Sequence, residues 1–249
     1  MTIYLATGNP GKVADFQALA QAGRAPEARW GPRLQRLELA PLPGFAALPP
    51  VEETGDCFEA NARIKAEHYS HLVPGWVLAD DSGLEVEVLN GAPGIYSARW
   101  RQLGDALSAS GRPLPGIEAR PPSDQRERPR QEVASHLAGR HGAAAANNRL
   151  LLERLQGVPA ERRGARFVCV LALARAGQTV TTFAGSATGV ILEAGRGRLG
   201  FGYDPLFYSP EAGCAFGELT REQKAAFSHR GQAARALWAW LRERPKAEH

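Results

Sequence analysis

A chain of 249 residues with 44% hydrophobic content is long enough for a sizeable core, and no segment approaches the roughly 18 apolar residues of a membrane helix. The first residues lack a charged-then-apolar leader. The three cysteines (Cys57, Cys169, Cys214) are far apart and form no C-x-x-C pair, which suits a reducing cytoplasm and argues against a disulfide framework or a zinc site. A net charge of +4 and a pI near 9.2 admit a nucleic-acid partner, but the arginines are scattered with no dense basic stripe, so no stable one is expected.

The chain opens on a short apolar strand, "IYLA", that runs into Thr7-Gly8-Asn9-Pro10-Gly11-Lys12 and then a helix. A Walker loop needs four residues between its glycine and the Gly-Lys pair, then Ser or Thr. Here only Asn9 and Pro10 intervene, and Val13 follows. The dinucleotide fingerprint fails too. What survives is that exposed amides at a helix start, beside a lysine, favour an anion; an ordinary strand-to-helix turn is the competing reading. Val13, Phe16, Leu19 and Ala20 share one face of that helix and Gly23 stops it.

From about Arg24 to Pro50 the sequence reads as irregular surface with a short apolar piece, "LQRLELA". "TGDCFEANARIKAEHYS" predicts a helix capped by Thr54, with Phe58, Ala62, Ala66 and Tyr69 facing inward. "GWVLA" predicts a buried strand closed by Asp80 and Asp81 at a Ser-Gly turn. "LEVEVL" predicts a half-buried strand, with Leu84, Val86 and Val88 alternating with Glu85 and Glu87. Arg101 to about Ala146 is dominated by Pro, Arg, Ser and Gly and reads as an insertion in a surface loop, with "VASHLAG" as a short helix. "NNRLLLERLQG" predicts a helix ended by Gly157. "RFVCVLALA" and "TVTTFAGSATGVIL" predict two strands turning at Ala176-Gly177. The last helix, from about Arg230, places Ala234, Leu237, Trp238 and Leu241 on one face. The intermixing predicts a single α/β (α+β mixed) domain over residues 1–249, built around a mixed sheet.

Five clusters can carry chemistry. Asp80 and Asp81, beside Ser82, suit hard-cation binding and water activation, or a turn that satisfies its own backbone. Glu52 and Glu53 offer a further metal oxygen or a helix-dipole partner. Lys65 lies one turn beyond Asn61 on the same helix and, with Lys12, can neutralise a polyphosphate. "GRGRLGFGYD" delivers Phe201 and Asp204; an aromatic between glycines can stack on a flat base, a core phenylalanine being the alternative. "KAAFSHRG" gathers Lys224, Ser228, His229 and Arg230, a dense set of donors for a purine edge or a phosphate.

Each signal is weak alone. Together "LATGNPGK", "EETG" with "EANARIKA", "ADDSGLEVEVLNGAPGIYSARW", "GFGYDPLF" and "ELTREQKAAFSHRGQA" resemble the inosine triphosphate pyrophosphatases, the HAM1 or non-standard purine NTP pyrophosphatase family. These motifs run in order along nearly the whole chain outside Arg24–Pro50 and Arg101–Ala146, the latter longer than the family's usual connection. The resemblance implies an elongated fold with a long central mixed sheet and two lobes flanking an active-site cleft, in a cytoplasmic homodimer. It implies Mg²⁺-dependent cleavage of ITP, dITP or XTP between the α and β phosphates.

Carried onto this sequence, the resemblance gives Thr7, Gly8, Asn9, Pro10, Gly11 and Lys12 the phosphates, with Lys65 helping. Asp81 becomes the general base and a metal ligand, with Asp80 beside it, and Glu53 or Glu52 a second ligand. Ser82 contacts substrate, Phe201 stacks on the base, and Gly202, Tyr203 and Asp204 complete its pocket. Lys224, His229 and Arg230 read the base edge. Their donors match the six-position carbonyl of hypoxanthine and xanthine, whereas adenine sets an amino group there, donor against donor. A Maf-type pyrophosphatase acting on other modified nucleotides is the nearest alternative, and a basic nucleic-acid-binding protein the alternative of another class.

Overall fold

The computed structural model describes residues 1–22, 37–109 and 142–243. Along the chain these form β1 (Thr2–Leu5), α1 (Pro10–Ala22), β2 (Glu38–Pro41), α2 (Phe58–Leu72), β3 (Trp76–Val86), α3 (Trp100–Ala109), α4 (Gly142–Arg154), β4 (Gly164–Arg175), β5 (Gln178–Ile191), β6 (Phe207–Ser209), β7 (Cys214–Ala215), α5 (Arg221–Phe227) and α6 (His229–Glu243), with short 3₁₀ turns between. The strands form one sheet in the order β2-β1-β3-β4-β5-β6-β7. It is mixed: β1 runs parallel to β2 and β3, while β6 is antiparallel to β5 and β7. The α/β class expected from the sequence is the one observed.

The chain divides into two compact units, Met1–Ser82 with Phe167–Ala187 and Leu219–His249, and Gly83–Arg166 with Thr188–Glu218. In the first, Ile3, Leu5, Phe16, Leu19, Leu78, Leu171, Phe183, Leu237 and Trp238 form a continuous buried core. Phe16, Leu19 and Ala20 are buried as the helical spacing requires, and Val13 is half-buried. The β4–β5 turn falls at Ala176-Gly177, both with positive φ (52° and 78°), the backbone of a two-residue hairpin. In the second unit Leu84, Val86, Trp100, Leu151, Leu155, Phe207 and Phe216 are buried.

Several sequence expectations are corrected. The helix predicted with a Thr54 cap starts at Phe58 with Cys57 as its N-cap and no side-chain cap bond. Asp80 and Asp81 lie in the strand as expected, but Ser82-Gly83 is not a turn: β3 continues through it to Val86, and Glu87–Leu89 is a 3₁₀ turn, not the end of a second strand. The reason lies in the sheet, because β3 is held between β1 and β4, while Lys12, Lys65 and Ser82 reach its two carboxylates. Within the segment read as irregular from Arg24 to Pro50, Glu38–Pro41 is strand β2, its Leu39 buried beside β1. Of the loop expected over Arg101–Ala146, Arg101 to Ala109 belongs to α3 and Gly142 to Ala146 to α4. Trp100, fully buried, roots α3 in the core. Gly23 and "VASHLAG" lie outside the described residues.

Candidate active site

Adjacent residues of a strand point to opposite faces of the sheet, so β3 separates its two aspartates. On one face Asp80 meets Lys12 of α1, 2.8 Å away, and accepts a hydrogen bond from the Ser82 hydroxyl at 3.1 Å. Arg230 of α6 donates to Ser82 Oγ at 2.8 Å, extending the chain of polar contacts. On the other face Lys65 of α2 lies 3.0 Å from Asp81 and 3.6 Å from Glu53, and Asn61 Nδ2 donates to Asp81 Oδ2 at 3.4 Å. The helical spacing of Asn61 and Lys65 thus brings both to one carboxylate. Glu53 faces this cluster, while Glu52 is exposed.

Local sequence explains the placement. Asn61 Oδ1 also accepts the Gly55 N–H at 2.8 Å, so one side chain ties the loop carrying Glu53 to Asp81. A Cβ on Gly55 would lie 2.6 Å from Ala60 Cβ, and glycine alone leaves room for that contact. Asn9 caps α1, accepting from Gly11 N at 2.9 Å and Lys12 N at 3.3 Å, and Pro10 suits the first helical position. Two of the amides expected to greet an anion are therefore already bonded, and the loop's electropositive character rests on Lys12. Ser228 separates α5 from α6 and accepts the Gly231 N–H at 3.1 Å, which restarts the helix at His229 and Arg230.

The electrostatics divide the dyad. Burial works against an ionised Asp80, but Lys12, Arg230 and Lys65 outweigh it and hold its carboxyl below the usual range. Burial pushes Asp81 upward, and Lys65 and Lys12 only partly offset it. Lys65 is raised: burial opposes its charge, and Asp81, Asp80 and Glu53 overcome that penalty. Asp80 Oδ1 is buried with no hydrogen-bond partner. Among the described residues no three of His, Cys, Asp and Glu converge tightly enough to hold a metal unaided.

Lys224, His229 and Arg230 are all buried, at 3%, 1% and 6% exposure. Asp15 of α1, absent from the sequence expectations, joins two of them, lying 3.6 Å from Lys224 and 3.5 Å from Arg230, with Arg221 at 3.7 Å. Its signal was present in the sequence: an acid beside Phe16, next to the apolar face of α1, needs buried cations. His229 stacks on Phe167 with centroids 4.7 Å apart. Burial, then Arg230, Lys224 and Lys12, press its pKa well below the usual histidine value.

Phe201, Gly202, Tyr203 and Asp204 belong to the second unit. Phe201 and Gly202 are half-buried, Tyr203 and Asp204 buried. Asp204 braces the loop, accepting Phe201 N–H at 2.9 Å, and a Cβ on Gly200 would meet that carboxylate at 2.1 Å. Tyr203 donates its hydroxyl to Ser97 O at 3.0 Å. Asn148 Nδ2 donates to Gly202 O at 3.0 Å.

Comparison with known proteins completes the picture. The model of the Ham1 family matches residues 3–114 and 128–240. A dITP/XTP pyrophosphatase of Acidobacterium capsulatum is 41% identical over 242 residues, 97% of this chain and 98% of that protein. A dITP/XTP pyrophosphatase of Exiguobacterium sibiricum is 39% identical over 243 residues, 97% of each chain. The structure of a HAM1 protein from Coxiella burnetii superposes with a TM-score of 0.68 at 30% identity, covering 98% of this chain and 100% of that one.

Proposed function

The chain belongs to the Ham1 family, and from that premise we propose that it hydrolyses deaminated purine nucleoside triphosphates (ITP, dITP and XTP) to the monophosphate and pyrophosphate. The observation that carries the reading is β3, whose neighbouring carboxylates Asp80 and Asp81 face lysines on opposite sides, at 2.8 Å and 3.0 Å. Its close relatives bear the name of this activity.

Asp81 is the general base. Burial raises its proton affinity above that of an ordinary carboxylate, and Asn61 and Lys65 fix its orientation. It takes the proton of the water that attacks the α-phosphorus, and the α–β bridging oxygen leaves with the pyrophosphate. Lys12 and Lys65 neutralise the charge that builds on the leaving group, Lys12 from a loop shaped by Thr7, Gly8, Asn9, Pro10 and Gly11. Ser82 and Asp80 hold Lys12 and Arg230 in register. In the first unit Lys224, His229 and Arg230 supply donors suited to reading a base edge; in the second, taken by itself, Phe201 offers a face suited to stacking, in a loop built by Gly202, Tyr203 and Asp204.

The donor set fits Mg²⁺: Asp81 and Glu53, two carboxylates on one side of β3, already share one cation, Lys65. Glu53 and Asp81 would hold the ion, the exposed Glu52 being the weaker candidate, with substrate phosphates completing its shell. When bound it polarises the phosphates and offsets their charge.

The deciding experiment is a panel of nucleoside triphosphates with and without Mg²⁺, both products identified for each. Pyrophosphate and monophosphate from ITP or XTP, with little from ATP or GTP, supports the reading; orthophosphate and a diphosphate overturn it. Among the described residues no helix is long and apolar enough to cross a membrane. A cytoplasmic homodimer is the proposed setting, checked by light scattering for the dimer and by fractionation for the location.

A further inference from the structure

The paired asparagines at the middle of α4 do different work. Asn147, 5% exposed, donates to Ser97 O and Ala98 O, both at 3.1 Å, and accepts Arg101 N–H at 2.8 Å. That carbonyl oxygen satisfies an N-terminal amide of α3, so every polar group of Asn147 is used for the fold.

Asn148, 3% exposed, differs. Its Nδ2 donates to Gly202 O at 3.0 Å, and its Oδ1 is buried without a partner. The opposite amide orientation would set Oδ1 against Gly202 O, acceptor against acceptor, so the donor must face the loop. A buried unpaired acceptor is destabilising. Leucine would fill nearly the same volume at this position with no orphan of its own, at the loss of the bond to Gly202 O. The side chain therefore earns its place by what Nδ2 does, which is to fix one peptide of the Phe201 loop.

That peptide needs holding. Gly202 has φ +62°, has no side chain to anchor it, and follows Gly200, also at positive φ (+75°). Asp204 holds Phe201 on both sides, accepting its N–H and donating to its carbonyl at 3.3 Å, and Tyr203 reaches Ser97 O, so the peptide between Gly202 and Tyr203 is the one that Asn148 ties. We propose that Asn148 is a positioning residue for base binding, acting through the Gly202 carbonyl to hold the Phe201 ring in its stacking pose. This rests on the assignment of Phe201 to base stacking. A loop fixed in advance binds a flat base without the entropy of ordering it, so losing the anchor weakens base binding and leaves phosphate chemistry alone.

The test is a double-mutant cycle on the full chain with ITP, using Asn148→Leu, Phe201→Ala and the pair. Asn148→Leu should raise KM about tenfold with kcat within about twofold, roughly the discrimination of one oriented contact. The double variant should show a KM no higher than Phe201→Ala alone. Asn148→Asp, which keeps the shape and removes the donor, should reproduce the KM change. If Phe201→Ala raises KM and Asn148→Leu does not, or if the two effects simply multiply, the positioning role is overturned and the stacking role stands. An unchanged KM in Phe201→Ala overturns both. If neither Asn148 variant gives folded protein, the residue serves the core, like Asn147, and the proposal fails.

Discussion

The two units hold their functional side chains by different forces. In the first, Asp80, Asp81, Lys12, Lys65, Asp15 and Arg230 restrain one another by charge, mostly out of solvent. In the second, Phe201 is carried by a loop whose ties end on backbone groups: Phe201 N–H, Gly202 O and Ser97 O. Removing one member of a buried ion pair strands its partner, at a cost of roughly 3–5 kcal/mol, whereas a lost neutral hydrogen bond costs about 1. The first unit couples chemistry to stability; the second can lose precision and stay folded. Substitutions that separate these two behaviours test the contrast directly.

The largest effect is expected at Asp81. Asp81→Asn keeps the volume and an oxygen for Lys65, which retains Glu53 as a charged partner. Turnover of ITP should fall on the order of 10²-fold or more while circular dichroism stays native. Near-normal kcat would move the base to Asp80, on the other face of β3.

Arg230→Ala comes next and probes both roles of the charged network. Asp15 keeps Lys224 and Arg221, so the fold should survive. kcat/KM for ITP should drop about tenfold or more and for ATP much less, which narrows the preference measured on the two substrates. Equal losses would assign Arg230, through its Ser82 contact, to the phosphate side.

What the sequence made legible follows the same divide. Lys65 and Asn61 could be paired because helical spacing is fixed, and both reach Asp81. The chemistry-bearing types were visible because charge in an apolar context is conspicuous. Ser82-Gly83 has the composition of a turn, and the β4 strand that keeps β3 running through it lies roughly 80 positions further along the chain, while the lysines lie 68 and 16 positions away from the aspartates they pair with. Asp15 was overlooked for the same reason: its cations stand at the far end of the chain. Asn147 and Asn148 read as ordinary helix, because no periodicity records which carbonyls a buried amide will find. Strand β2 was hidden by its brevity, and only its pairing with β1 defines it.

Smaller in scale is the pH dependence of stability at His229. Its native pKa is depressed by burial and by Arg230, Lys224 and Lys12, while the unfolded chain titrates near the ordinary value of about 6.5. Above that pH neither state binds the proton. Below it the unfolded state gains one and the native state does not, so stability falls with acid until the native pKa is reached. Chemical denaturation between pH 7 and pH 5 should lose up to about 1.4 kcal/mol per pH unit from this group. His229→Gln should flatten that slope. An unchanged slope would mean that the native imidazole titrates normally.

The smallest effect is expected at Tyr203, and it decides whether that residue builds the loop or touches substrate. Its hydroxyl donates to Ser97 O at 3.0 Å, and burial pushes the phenol's pKa up, so it remains a donor across the working range. Ser97 O also accepts from Asn147 Nδ2 at 3.1 Å, so Tyr203→Phe leaves that carbonyl bonded. No buried acceptor is stranded, and the loss should be about 1 kcal/mol, a Tm shift of roughly 2–4 °C for a chain of this size. Phe201 keeps its Asp204 brace and Gly202 its Asn148 anchor, so KM for ITP should stay within about twofold. A KM raised tenfold with unchanged Tm would place the phenol on the substrate, and the second unit would then contact it through a polar group as well as through the Phe201 ring.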